Sequence, residues 1–357
     1  MALLYSDGFD LQDVGLRWIV NGSVSDITFA TGTRLGAGKA ATLNTTASVS
    51  SLSIMRALPA SASLYMGAAI QVGTEAGNNS DPTANLFGIY GDSGVTGHVY
   101  IRRLPSNAVA LYRGDPNAGT LITPSGTQIA ITAPGTLDGN WHYIEMFATI
   151  NATTGQIIVR IDGKQVINFT GNTKNGGTST NIDAVRFRTG KYITANNSII
   201  SIDDFYVCDA TGTTNNTFLG DIRVQSLIPN AAGSSTQFAP TGSANNYVNV
   251  GEVPYNNATY NASPTTGQRD TYALSDLTAG TTTVYGLQSV AHMQKSDAGT
   301  ANAKVALKSG AGVYYDTTQS LSTSATSYTQ MRETDPATSA AWTVAGANAL
   351  EAGMEVA

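Results

Sequence analysis

Hydrophobic and polar positions alternate along this chain in short stretches, and Gly, Pro, Asn and Asp break the pattern too often for long helices. In the first half the spacing predicts strands over Leu64–Val72, Ala84–Tyr90, His98–Leu104, Ala108–Tyr112, Trp141–Ile150, Gln156–Ile161, Gln165–Phe169, Ala184–Arg188 and Ser198–Cys208. Ile157, Val159 and Ile161 fall on one side of their strand. Val185 and Phe187 likewise point away from Arg186 and Arg188, the signature of antiparallel sheets with one buried face. Asp162-Gly163, set between two apolar runs, predicts a two-residue hairpin, because both residues tolerate the positive φ that such a turn needs. A slip of one residue there would turn Ile157, Val159 and Ile161 into water, so the register should be firm.

The texture changes at Asp209–Thr217, which has no large apolar residue, and a boundary is expected at 212/213. The second half predicts strands over Phe218–Leu227, Val284–Gln294, Ala303–Lys308, Val313–Tyr315, Ser327–Glu333 and Gly353–Val356. A polar stretch, 229–269, is spaced by Phe238, Tyr247, Tyr255 and Tyr260 and reads as an ordered extended arm or long loops pinned by those rings. One helix is expected, Ser339–Leu350, with Trp342, Ala345 and Leu350 roughly on one face.

Composition narrows the classes. Of 357 residues only 12% are charged while 41% are hydrophobic, which excludes a disordered acidic tail and a coiled coil. A net charge of −6, spread over both halves, argues against a nucleic-acid binder. The single cysteine, Cys208, allows no internal disulfide framework. The N-terminus lacks the basic and apolar regions of a signal peptide, and no apolar run is long enough to span a bilayer. Asn-x-Ser/Thr triplets, among them Asn78 and Asn196, read as chance in so Asn-rich a chain.

Three segments carry a resemblance. Leu3-Leu4-Tyr5-Ser6-Asp7-Gly8-Phe9-Asp10 followed by Trp18 looks like the first strand of concanavalin A-like (laminin-G-like) sandwiches of tailed-phage structural proteins. Trp141-His142-Tyr143-Ile144-Glu145 with the hairpin at Asp162-Gly163 resembles the middle of that fold, and Ser201–Val207 its closing strand. Phe218–Val224, Gly251-Glu252-Val253-Pro254 and Glu333-Thr334-Asp335-Pro336 leading to Trp342 look like a segment that follows this sandwich in phage tail and virion proteins. The resemblance implies an all-β protein: a concanavalin-like antiparallel β-sandwich (jelly roll) at 1–212, then a smaller β-rich domain at 213–357. It also implies a structural component of a tailed-phage virion, made in the bacterial cytoplasm and placed on a tail, tail tip or fibre. Its partners would be other virion proteins, copies of itself and a host surface glycan, with no nucleic acid and no membrane insertion. The alternatives are a carbohydrate-binding or hydrolytic module acting on host polysaccharide, and a capsid decoration or head fibre.

Candidate chemistry is sparse. A glycosidase needs two facing carboxylates. The strand from Trp141 holds only Glu145, and Asp203 and Asp204, being adjacent, point to opposite faces. None of His98, His142 and His292 accompanies a Gly-x-Ser-x-Gly elbow. His142 reads as a residue packing or capping a turn, and Cys208 as a buried thiol. The glycine-rich run from Gly32 to Lys39 lacks a strand-loop-helix setting and reads as a turn. Asp92, Asp115 and Asp138 lie in expected loops, but no contiguous acidic loop supplies the oxygens that Ca²⁺ takes. No enzyme, catalytic residue, cofactor or metal is therefore expected. Glycan binding is the open chemistry, with Tyr90, Tyr100 and Tyr112 on neighbouring strands and Tyr255 and Tyr260 on the arm as candidate rings. Arg102-Arg103 reads as a solvated pair. Most of these rings are expected to fill the core or pin the arm.

Overall fold

The computed structural model describes residues 2–30, 34, 38–45, 52–73, 84–104, 106–115, 126–189 and 199–357. Asn78 and Asn196, and Gly32 and Gly36 of the glycine-rich run, lie outside them. The chain divides into two compact units, one of Ala2–Phe9 and Arg17–Val224, the other of Asp10–Leu16 and Gln225–Ala357. The two units part between Val224 and Gln225, whereas the texture break lies at 212/213.

The strands of the first unit are β1 Leu3–Asp7, β2 Ile19–Asn21, β3 Ile27–Ala30, β4 Ala40–Asn44, β5 Ser53–Ser61, β6 Ser63–Val72, β7 Ala84–Gly91 and β8 Thr96–Arg103. They continue as β9 Val109–Arg113, β10 Thr127–Ile131, β11 Trp141–Thr149, β12 Gly155–Ile161, β13 Lys164–Gly171, β14 Ile182–Arg188 and β15 Ile199–Asp209. Among the described residues they form two antiparallel sheets. An eight-stranded sheet runs β13-β12-β11-β6-β15-β4-β3, with β1 also paired to β15, and a seven-stranded sheet runs β10-β9-β8-β7-β14-β5-β2. The alternation's antiparallel sheets are present, in the all-β jelly-roll sandwich that the resemblance implies, and the strands expected between Leu64 and Cys208 are all there. The sheets meet through aromatic rings. Phe187 of β14 lies 5.2 Å from Phe87 of β7 and 5.4 Å from Phe205 of β15, and Trp18 lies 5.5 Å from Phe205. Each such ring buried contributes about 1.5–3 kcal/mol. Trp18 donates through Nε1 to Asp7 at 2.7 Å, so the indole's polar end is satisfied inside the core.

The hairpin forms as expected. Asp162 (φ 50°) and Gly163 (φ 76°) turn the chain so that Ile161 pairs with Lys164. The ladder then shifts between Val159 and Arg160, which sets Val159 opposite Ile167 and keeps both apolar chains buried.

Phe218–Leu227, expected as a strand, joins no sheet. Its backbone N–H groups go to side chains of the eight-stranded sheet instead. Gly220 N donates to Glu145 at 2.9 Å, Leu219 N to Tyr206 Oη at 3.0 Å, and Val224 N to Asp204 at 2.7 Å. Phe218 sits edge-on to Tyr65 at 5.0 Å, with the Arg160 guanidinium 4.1 Å from its centroid. Residues 218–224 therefore lie on the face of the eight-stranded sheet that is turned away from the core.

In the second unit, the described residues form a sheet in the order Pro229–Thr236, Arg269–Leu274, Glu351–Val356, Asn302–Ser309, Gly312–Tyr315, with Gln319–Ser320 paired to Asn302–Ser309. Leu287–Met293 and Thr326–Arg332 pair separately. Trp342, Leu350, Val305 and Leu307 make its core. The stretch 229–269 is not an extended arm. It folds back through the pair Ala239–Thr241 with Tyr260–Ala262 and a short helix, Asn246–Val250. Asp270 organises this fold: buried, it accepts hydrogen bonds from Gln237 N, Phe238 N, Asn246 Nδ2 and Tyr272 Oη at 2.5 to 3.0 Å. The expected helix Ser339–Leu350 shrinks to Val344–Asn348. Ser339 takes a positive φ of 57°, and Thr343 caps the helix by accepting from Gly346 N.

Candidate functional site

Strand register decides which side chains share a face. Directly paired residues place Met55 of β5, Arg186 of β14, Gly88 of β7, Tyr100 of β8, Tyr112 of β9 and Gln128 of β10 in one row across the seven-stranded sheet. The adjacent row is Ser53, Arg188, Asn85, Arg102 and Ala110. Phe87, Ile101 and Phe187 alternate with these residues and enter the core, so both rows occupy the face turned away from the eight-stranded sheet. Tyr90 pairs with Ala184 and joins them through a second cluster of Tyr90, Tyr100, Ala110, Tyr112 and Ala184, with Met55 and Leu104 against it.

The rings are bound into a network. Tyr100 Oη donates to Tyr90 Oη at 2.9 Å with the rings edge to face, and the Arg186 guanidinium stacks 4.3 Å from the Tyr90 centroid. Tyr112 Oη donates to Gln128 at 3.2 Å. Burial first, and for Tyr100 the neighbouring Tyr90 next, pushes both phenols above their usual range, so they serve as neutral donors. Arg188 pairs with Asp115 at 3.0 Å. Asn85 differs from its neighbours. It is 1% exposed, and both its amide nitrogen and its amide oxygen lack a hydrogen-bond partner. An unsatisfied buried amide costs about 1–3 kcal/mol per group, so its retention calls for an explanation.

The other sequence candidates have structural partners. Glu145 is buried and accepts from Tyr206 Oη at 2.5 Å and Gly220 N at 2.9 Å. Asp203 accepts from Asp204 N, and Asp204 from Val224 N, with Arg34 Nε 3.5 Å away. His142 bridges two turns, its Nδ1 2.8 Å from Asp162 and its Nε2 3.0 Å from Asp138. Burial alone would lower the His142 pKa, but the hydrogen bonds and charges of Asp162 and Asp138 outweigh it and raise it. Asp138, bonded first by Asn140 and then by His142, is held down to about 2. Asp92 accepts from Ser179 N and the Thr178 hydroxyl, which bind it to that loop. The acids considered for Ca²⁺ are thus apart, and no group of three metal-ligating side chains gathers among the described residues. His98, at a break in the β7–β8 ladder, accepts from Asn175 N at 3.2 Å, and burial lowers its pKa. Cys208 is buried.

In the second unit, His292 Nε2 lies 2.9 Å from Asp13 and its ring 4.8 Å from that of Tyr255, while Tyr260 is exposed. Tyr90, Tyr100 and Tyr112 are thus brought together, but Tyr255 and Tyr260 belong to the other unit. Arg102-Arg103 is not a solvated pair. Both side chains are buried, and being adjacent on β8 they leave it on opposite faces. Arg103 donates to Asn107, and Arg102 joins the row of Asn85 and Arg188. Asn85, Arg186, Arg188 and Gln128 were not singled out as site residues by sequence. The alternation of Arg186 and Arg188 with Val185 and Phe187 was the available signal.

No family model matches the chain, and no curated protein matches it. Among solved structures it is similar to a sialidase at 12% identity and TM-score 0.36, over 57% of this chain and 18% of that one. It therefore spans under a fifth of the sialidase. It is also similar to an alginate lyase at 13% identity and TM-score 0.39, over 58% of this chain and 93% of that one. A carbohydrate esterase from a Shiga toxin-encoding bacteriophage matches at 16% identity and TM-score 0.39, over 57% of this chain and 98% of that one. At these values no activity is carried over to this chain. The expectation of a protein without enzymatic activity is nevertheless corrected, because enzymes acting on carbohydrates recur among the structures it is similar to.

Proposed function

We propose that the chain binds a saccharide on the outer face of the seven-stranded sheet. The observation that carries this reading is the gathering, from four strands, of Tyr90, Tyr100, Tyr112, Arg186 and Asn85 on a face that plays no part in joining the two sheets. Sugars present dense hydroxyls above apolar ring faces, and binding sites for them combine aromatic surface with a few fixed polar groups. Here the phenols and guanidinia supply donors, Gln128 and Asn85 supply amides, and the network fixes their directions before a ligand arrives. The rings are nearly buried, so a sugar would meet hydroxyl groups and ring edges rather than open ring faces.

The test is binding of the whole chain to an oligosaccharide array, with the wild type compared to Arg186→Ala. The variant removes the stacked guanidinium and is expected to weaken binding about tenfold or more. Equal binding by both would move the site elsewhere, and no binding by either would end the reading. Reducing-end and unsaturated-sugar assays on the same mixtures read any turnover.

The tailed-phage setting rests on the quoted sequence segments. Under it, the chain is a virion component that assembles with its own copies and presents this face to a host glycan. Detection of the protein on purified particles of the phage encoding it supports that setting, and its absence from them removes it.

A further inference from the structure

We propose that His98 forms an acid-sensitive latch: neutral, it holds residues 174–177 of the β13–β14 connection to β8, and once protonated it loosens them. The latch lies within the first unit and does not depend on the saccharide reading.

The ladder between β7 and β8 pairs Val99 with Ile89 and Gly97 with Tyr90, which leaves His98 as an extra residue with no partner on β7. A bulge of this kind re-aims a side chain. The ring is buried and lies against Gly91, where a Cβ would fall 2.9 Å from Nε2. Nδ1 accepts from Asn175 N at 3.2 Å, so the neutral ring carries its proton on Nε2, which has no hydrogen-bond partner. A second proton can go only to Nδ1. The ring then presents a donor to the Asn175 donor, and the bond is lost. The cation is also left buried with no acceptor at either nitrogen, which favours opening of the segment.

Three charged groups act on the ring from the elements around it: Asp92 from the β7–β8 turn, Lys174 from the connection itself and Asp183 from β14. None of them is its hydrogen-bond partner. Asp92 is taken up by Ser179 N at 2.9 Å and the Thr178 hydroxyl at 2.8 Å. Asp183 is taken up by Ser93 N at 2.7 Å and Gly94 N at 2.9 Å, and Lys174 Nζ donates to Thr178 O at 3.2 Å. Burial outweighs these charges and lowers the His98 pKa. Asp92, held well below the usual carboxylate range first by Ser179 N and then by Thr178, keeps its charge in mild acid. The connection is thus fastened at two points, and acid weakens only the one at Asn175. That residue is exposed, and Gly176 and Gly177 follow it at φ 59° and 66°. Asn175 Nδ2 also donates to Gly97 O at 3.1 Å, so loosening means more frequent local opening rather than lasting detachment.

Hydrogen–deuterium exchange of the whole chain from pH 7.5 to pH 4.5, corrected for the intrinsic rate at each pH, reads the latch. The closed segment takes up a proton less readily than the open one. Protection at Asn175 should therefore stay constant above the ordinary imidazole value of about 6.5 and fall below it, by up to about tenfold per pH unit. A total loss of about tenfold or more is expected, with Ser179 changing less than Asn175. His98→Asn keeps an acceptor where Nδ1 stood but cannot be protonated, and should hold protection level across the range. His98→Phe removes the acceptor and should show the weaker protection already at pH 7.5. If neither variant folds, the wild-type ring followed by NMR keeps the test open, since His98 should titrate below about 6.5. Protection at Asn175 independent of pH in the wild type, an equal fall in His98→Asn, or a His98 that titrates at or above about 6.5 would each overturn the latch.

Discussion

At the residue scale, the polar side chains of this protein mostly fasten backbone. His142 is the clearest case. It begins β11, reaches Asp138 with one ring nitrogen and Asp162 with the other, and Asp162 in turn accepts from Tyr143 N at 2.8 Å. Its folded-state pKa is raised, so the clasp contributes its full stability below the unfolded imidazole range and loses it as pH climbs through the folded value. Thermal melts from pH 6 to pH 9 should therefore show a decline that His142→Gln flattens, with a difference of about 1 kcal/mol at the acid end after allowance for solvent screening. Equal slopes for both proteins would show that the clasp carries no charge. Glu145 offers a second case. Its replacement by Ala would leave Tyr206 Oη and Gly220 N without their acceptor, at a cost of about 3 kcal/mol in a denaturant titration.

At the element scale, alternation was legible wherever a strand had one apolar face. Ile157, Val159 and Ile161 are buried, and Val185 and Phe187 part from Arg186 and Arg188 as the sequence indicates. Phe218–Leu227 misled because its apolar residues are spaced like those of a strand, while the acceptors for its N–H groups are side chains remote in sequence. The arm was legible only in part: Phe238 is buried and the Tyr255 ring packs on His292, but much of the backbone is fastened by Asp270, a residue at its edge. Asp270→Ala should accordingly destabilise the second unit by about 3 kcal/mol or more, since four donors lose one buried acceptor. The candidate site was the least legible feature. Tyr100 and Arg102 lie two apart and suggest a shared face. Which residues of β7, β9 and β14 stand beside them depends on ladder shifts such as that between Asn85 and Phe87, and these leave no local trace in the sequence. The site also depends on one close approach. A Cβ at Gly97 would fall 1.8 Å from Tyr100 Oη, so Gly97→Ala should displace that phenol and break its bond to Tyr90. The change should weaken saccharide binding more than it lowers the melting temperature.

At the scale of the whole molecule, the chain builds two β units, and the first does not end where the sequence texture changes. Residues 213–224 satisfy Glu145, Asp204 and Tyr206 on the outer face of the eight-stranded sheet. A fragment ending at 224 should melt cooperatively, and one ending at 212 should melt lower or collapse, because it exposes Tyr65 and strands those polar groups. Among the described residues no helix is long and apolar enough to cross a membrane. With one outer face occupied by 213–224, the proposed ligand surface is the other, on the seven-stranded sheet. Hydrogen–deuterium exchange of the whole chain, with and without a saturating array-selected oligosaccharide, tests that placement most directly. Slowed exchange is expected in β7, β8 and β14, with no change in β11, β12 and β13. Protection confined to the eight-stranded sheet, or to residues 225–357, would contradict it.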